Sequence, residues 1–322
     1  MLPSQRTIRL LDKGRSAYSR LFPGKSRFGF TYDLAQLRGQ EGCDRIRQEL
    51  LAPKPSMICR FGSTELLSLL GHLGHLADPK PSLLNHIRYI TGALPGYGND
   101  PEHTQLLYLL SGVFPPRPDV EQRFGERMME DMKLVDILGS WRREESFFTK
   151  ELAHAVKVEL PALEPFLHKN PWSEVLEGKT VLVVHPFERT ILSQWERREK
   201  LFQDPRVLPP FELKTIRAVQ TVAGNPTSFK DWFEALKYME DRMSGMDWDV
   251  AIIGCGAYGF PLAAHAKRMG RKAVHVGGAT QLFFGIVGAR WENHPLRNAY
   301  WVRPGDNERP EHAGVVEGAC YW

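Results

Sequence analysis

The stretch VAIIGCGAYGFPLAAHAKRMGRKAVHVGG, residues 250–278, decides the fold, because it reads as strand, glycine turn, helix and strand in unbroken succession. The opening apolar run has the character of a strand buried on both faces of a parallel sheet. Gly254, Gly256 and Gly259 then take the G-x-G-x-x-G spacing where a helix opens. Glycines there let backbone N–H groups approach a pyrophosphate, and the helix N-terminus favours its charge. The same glycines also suit a tight turn that holds no ligand. A dinucleotide fold places an acid about 20 residues on, for the ribose hydroxyls. His275 stands near that place, and no Asp or Glu lies between Val274 and Gln281. The reading therefore moves away from NAD, toward the diphosphate of a nucleotide sugar or a SAM-like ligand.

Outward from that stretch the pattern repeats. GKTVLVVHPF at 178–187 is turn, strand and loop; 188–202 is a helix; ELKTIRAVQT at 212–221 is a strand; 228–245 is an amphipathic helix. Such alternation predicts βαβ units and a parallel sheet, whose ligands lie at the carboxyl ends of the strands. His185 and Glu188 sit at one such end. His185 has the intrinsic pKa of an acid or base or a phosphate ligand, and Glu188 opens a helix, where a capping role also fits. Gly278, Thr280 and Gln281 follow another strand and precede two phenylalanines, which suits a sugar or base pocket or, equally, a buried Gly-rich helix. Tyr258, inside the glycine turn, joins the donor-binding candidates.

In the first half, residues 31–51 read as a polar helix, SMICRFG at 56–62 as a strand, 63–76 as a helix, and 102–168 as helical with a break at FPPRPD. Arg60, Gly62, Ser63 and Glu65 cluster at the end of that strand. Arg60 is suited to neutralising phosphate and Glu65 to holding a metal or acting as base; an Arg60–Glu65 salt bridge is the plainer alternative.

Composition bounds the rest. Hydrophobic residues are 42% and charged residues 25%, the range of an ordinary globular chain. Cys43, Cys59, Cys255 and Cys320 are scattered and are expected as reduced thiols of a cytoplasmic protein. No apolar run reaches the length of a membrane span, and no secretory h-region is recognisable. Residues 1–28 carry seven Lys and Arg against Asp12, which is +6; the whole chain is +4, so the remainder sums to −2. A near-neutral body is a poor candidate for nucleic-acid binding, which needs a basic face on the folded domain. The basic arm suits a frayed, solvated terminus, an organelle transit peptide, or peripheral contact with an anionic membrane, such as its inner face. The aromatic tail EGACYW at 317–322 is expected to dock on the body.

With these motifs in place, the chain resembles the GT-D-fold glycosyltransferases. RFGSTE at 60–65 is similar to their Arg-Phe-Gly-Asp-x-Glu box, and 178–184, 213–219 and 250–278 are similar to their later strands. The resemblance spans roughly residues 55–290. It implies a Rossmann-like parallel sheet with a helical insertion in the N-terminal half. It divides the chain into residues 1–50 (basic arm and helix), 51–290 (GT-D-like domain, Rossmann-like from about 175) and 291–322 (tail). It also implies transfer of a sugar from a nucleoside-diphosphate sugar to a carbohydrate or lipid-linked acceptor, in surface-polysaccharide assembly. Arg60 and Glu65 match the box, whereas Ser63 replaces its Asp. A divalent cation, Mn or Mg, is therefore expected to be weakly held, with Glu65 its protein ligand. His275 replaces the acid of the last strand. The alternatives are a Rossmann-type NAD- or SAM-dependent enzyme and a non-catalytic sugar-nucleotide-binding protein.

Overall fold

The computed structural model describes residues 3–98 and 100–322. Helix α1 (Gln5–Leu21) is capped by Ser4, whose hydroxyl accepts from the Thr7 N–H, and helix α2 (Gly39–Leu51) follows. Strand β1 (Ser56–Cys59) leads into helix α3 (Ser63–Ala77). Helices α4 (Leu83–Thr91), α5 (Pro101–Leu106) and α6 (Pro118–Met132) come next, with α5 prolonged by a π turn over Leu107–Ser111. Strands β2 (Ile137–Ser140) and β3 (Val156–Glu159) complete the first half. The second half alternates: β4 (Thr180–His185), α7 (Glu188–Trp195), β5 (Glu212–Arg217), α8 (Trp232–Ser244), β6 (Val250–Ile253), α9 (Gly259–Arg268), β7 (Lys272–His275) and the short α10 (Thr280–Phe283).

The seven strands form one parallel sheet in the order β3-β2-β1-β7-β6-β4-β5, the α/β architecture that the strand–helix alternation predicts. Side chains alternate between its faces. Leu182, Val184, Ala251 and Ile253 pack with α3, α6, α8 and α9; Val181, Val183, Val250 and Ile252 pack with α2, α7, α10 and residues 313–322. Both faces are covered, which is why these strands read as apolar runs rather than as alternating ones. Truncating one such side chain, as in Leu182→Ala, costs about 2–5 kcal/mol.

Three parts of the first half differ from the sequence reading. Residues 102–168 are not helical throughout: β2 and β3 lie within them. ILGS and VKVE each hold only two large apolar residues, too few to stand out as a strand from a helical neighbourhood. Residues 31–38 are not helix either. They run beside β3, where the Gln36 N–H donates to the Lys157 carbonyl at 2.7 Å and the Glu159 N–H to that of Leu37 at 3.1 Å. Nor is the basic arm a frayed terminus, since α1 packs on α4 and buries Ile8 and Leu11.

The topology positions the site. The chain leaves β4 and β6 toward opposite faces, through α7 and α9, and leaves β1 and β7 likewise, through α3 and α10. Both partings open crevices at the carboxyl edge, where open α/β sheets take their ligands.

Candidate functional site

A cavity of ≈ 500 Å³ lies over the carboxyl ends of β1, β7, β6 and β4, the size of a small-ligand site. Arg60 enters it from β1, His275 from β7, the Gly254–Gly256 turn from β6 and His185 from β4. Ser63, Thr64 and Glu65 of α3 line it, as do Gly62, Gly278 and Gln281. The sequence reading did not find Ser111, Trp141, Arg142, Thr221, Arg290 and Tyr321, which also line it. They reach the cavity from the π turn, from the loops after β2 and β5, and from segments beyond α10.

Arg60 decides the electrostatics. Three arginines line the cavity, and two are spoken for: Arg142 pairs with Glu144 at 2.5 Å and Arg290 with Glu317. Among the described residues Arg60 forms no ion pair, and its buried Nε has no hydrogen-bond partner. Its guanidinium stands 4.8 Å from the centre of the Trp141 ring. Burial pulls its pKa down, against the pull of Tyr321 and Glu65. Gly277, at φ +72°, makes the room: a Cβ there would come within 2.8 Å of the Arg60 Nη1. Arg60 is half-buried, and a cation drawn partly out of water with its Nε unpartnered is costly to leave without an anion, so this arrangement asks for one.

Two helix starts point the same way. The N–H groups of Ser63 and Thr64 at α3 find no backbone acceptor among the described residues, and neither do those of Cys255, Gly256 and Ala257 ahead of α9. Each start carries roughly half a positive charge. Gly256 sits at φ +57°, a conformation that glycine adopts without strain. The start of α7 is different. There the Glu308 carboxylate accepts from the Arg189 N–H at 2.8 Å, from the Thr190 N–H at 3.3 Å and from the Thr190 hydroxyl.

Glu65 lies in the first turn of α3, buried over Gly62, where any Cβ would collide with its carboxylate. Desolvation raises its pKa; its own N–H, the Arg60 charge and the Ser111 hydroxyl act the other way. The Arg60–Glu65 salt bridge is absent: the two share the cavity without pairing. Glu164, near Arg60 but outside the cavity lining, is pushed up to about 7 by burial, with Arg60 opposing.

The two histidines are neutral and opposite in sense. Burial lowers each to about 3, with the Arg60 charge adding to the effect at His275. His185 Nδ1 accepts from the Phe187 N–H at 3.0 Å, so the ring proton sits on Nε2. His275 Nδ1 lies 3.1 Å from the Ile253 carbonyl and must donate to it, which leaves Nε2 as a bare acceptor. His185 is thus a hydrogen-bond donor at neutral pH, not the acid or base expected from its type.

Other expectations are corrected by packing. Glu188 does not line the cavity: its carboxylate accepts from the Thr215 hydroxyl of β5 at 2.9 Å. Gly259 does not either; it is glycine because the His275 ring packs where a Cβ would be. Thr280 is buried and donates to the Ile253 carbonyl at 3.1 Å, tying α10 to β6. Tyr258 touches the cavity only as wall, its ring stacked on Trp232 at 5.2 Å. Gln281 lines the cavity but spends its amide on the Ile286 and Tyr321 carbonyls, at 3.2 and 3.1 Å. That second bond helps to dock residues 313–322, whose Trp322 donates to the Glu308 carbonyl at 3.1 Å.

For a metal, Ser63 brings no carboxylate beside Glu65, and among the described residues no three His, Cys, Asp or Glu side chains gather. The residues do not build a cation site by themselves. A Mg or Mn ion here would take most of its ligands from bound phosphate, with Glu65 a carboxylate in the cavity lining.

Comparison with protein-family models, with curated proteins and with solved structures finds no match to this chain.

Proposed function

We propose that the protein is a glycosyltransferase of the GT-D type, moving a sugar from a nucleoside-diphosphate sugar to a carbohydrate or lipid-linked acceptor in surface-polysaccharide assembly. The observation that carries the reading is the unpartnered Arg60 guanidinium between two open helix starts. One fixed cation and two sets of free N–H groups suit a diphosphate better than a single phosphate. In this reading helices α3 to α6, between β1 and β2, take the place of the helical insertion expected in the N-terminal half.

In this reading Arg60 and the N–H groups at α3 and α9 hold the diphosphate and stabilise the charge it gains as it leaves. The bond from the sugar's anomeric carbon to the phosphate oxygen breaks, and a bond to the acceptor oxygen forms. Glu65 takes the proton of the acceptor hydroxyl; its raised pKa makes it the stronger base. The His185 Nε2–H donates to the ligand, and His275 Nε2 accepts from a ligand hydroxyl. An acceptor at that strand end, where a dinucleotide site keeps an acid, favours a hydroxyl-bearing ligand without requiring NAD.

The test is thermal stability with UDP-, GDP- and CMP-sugars and their diphosphates, against NAD and SAM. Nucleotide sugars should stabilise by about 2.7 kcal/mol at a hundredfold excess over Kd. Stabilisation by NAD or SAM alone would replace the reading with a Rossmann-type enzyme. Binding without transfer to any glycan or lipid-linked acceptor would leave a non-catalytic binder.

A further inference from the structure

We propose that the outer face of α1 and α4 docks on an anionic lipid bilayer. The inference is independent of what the cavity binds. The two helices form one unit. Gly14 lies against Ile90, where a Cβ would approach to 3.1 Å, and the Tyr89 hydroxyl donates to Asp12 at 2.6 Å. Arg15 stacks 3.5 Å over the Tyr89 ring and donates to the carbonyls of Tyr89, Leu94 and Pro95. These contacts use the side of α1 that carries Ile8, Leu11 and Arg15, and the side of α4 that carries Tyr89.

The opposite sides hold large apolar groups in water. Leu83 is 77% exposed, Leu84 65% and Ile87 50%; on α1, Leu10 is 64% and Leu21 73% exposed. Leu10, Lys13, Ala17, Arg20 and Leu21 follow the spacing of one helical stripe, and Leu83, Leu84, Ile87 and Arg88 that of another. The cations beside them are free: among the described residues Arg6, Lys13, Arg20, Lys25 and Arg88 form no ion pair. The acids of residues 1–28 and 76–92 are Asp12, taken by Tyr89, and Asp78, taken by Lys80. Leucines flanked by unpaired cations match an acyl boundary beneath acidic headgroups. A second copy of the chain would bring the same positive charge against itself, which opposes that occupant.

The experiment is flotation of the full chain with neutral phosphatidylcholine vesicles and with vesicles containing acidic phospholipid. The protein should float with the acidic vesicles and be released by salt. Replacing Leu83, Leu84 and Ile87 together by Ser, and separately Arg6, Lys13 and Arg20 by Glu, should each lower the bound fraction about tenfold with the melting temperature unchanged. Three results would overturn the proposal: no flotation with acidic vesicles, equal flotation with neutral ones, or unchanged binding by both variants. A dimer in sedimentation that the serine variant returns to monomer would also overturn it, by assigning the face to a second copy.

Discussion

Glu308 and Glu65 both bring a carboxylate to the first turn of a helix that follows a central strand, Glu308 to α7 after β4 and Glu65 to α3 after β1. Both are buried. Glu308 comes from far along the chain and saturates its helix start, taking two N–H groups and a hydroxyl. Glu65 comes from its own helix, leaves the first two N–H groups of α3 without an acceptor among the described residues, and ionises less readily than an ordinary carboxyl. The difference separates a helix start used to hold the fold from one kept open for a ligand. A satisfied buried carboxylate stabilises; an under-satisfied one costs stability and is retained where chemistry needs it.

The widest separation should come from replacing each carboxylate by its amide. Glu65→Gln should lower sugar transfer by about 10²- to 10⁴-fold, the usual worth of a positioned proton acceptor. It should not lower the melting temperature. The raised pKa means that Glu65 stabilises the fold when protonated and that this contribution is lost as pH rises through its folded value. The amide should therefore match or exceed the natural protein at pH 8, with the gain fading as pH falls. A loss of stability with activity kept would make Glu65 a second Glu308.

Arg60→Met probes the same open region from the cation side. It should weaken binding of a nucleoside diphosphate at least about a hundredfold, because the phosphate loses a charge-assisted and bidentate-capable donor. The fold should hold, since the change removes a half-buried charge that forms no ion pair among the described residues. Unaltered affinity by calorimetry would mean that the open helix starts alone hold the ligand.

Glu308→Gln should reverse this pattern. Removing the charge from three donors should cost about 1–3 kcal/mol in denaturant unfolding and leave ligand affinity within about twofold. Loss of binding at constant stability would erase the distinction between the two regions.

A further contrast concerns pH. His185 and His275, lowered to about 3 from an ordinary 6.5, stabilise the fold fully above pH 6.5, and that contribution is lost as pH falls toward 3. Replacing both by Gln should flatten the fall in melting temperature between about pH 6.5 and 4. An unchanged slope would assign the acid sensitivity to other groups.

The second half of the fold was legible because β4 and β6 are apolar runs, β5 alternates, and α7, α8 and α9 are long enough to show a helical period. β2 and β3 were hidden because ILGS and VKVE each hold only two large apolar residues, and residues 31–38 because their partner, β3, was itself unseen. In the site, Arg60, Gly62, Ser63, Glu65, Gly254, Gly256, His185 and His275 were findable as strand-end residues, since topology brings strand ends together. Glu188 and Thr280 were misplaced because one residue along a helix start turns a side chain about 100°. Trp141, Arg290 and Tyr321 carry no local motif; only tertiary packing brings them to the cavity. The opposite tautomers of His185 and His275 were equally invisible, being set by single backbone groups across a turn and from a neighbouring strand.

The pairing of β1 with β7 has a consequence for how the molecule is made. Ser56 lies beside Lys272, and most of the chain separates them. At a synthesis rate of about 5–20 residues per second, β1 waits about 10–40 s for its neighbour. During that interval β1 to β3 have a bare apolar edge, whereas β4, β5 and β6 can pair as soon as they emerge. The later half of the sheet can therefore reach its register while the earlier half still presents an open edge. No ligand can shorten that wait, because Arg60 and the wall formed by Tyr321 meet only after the last strand has closed the gap.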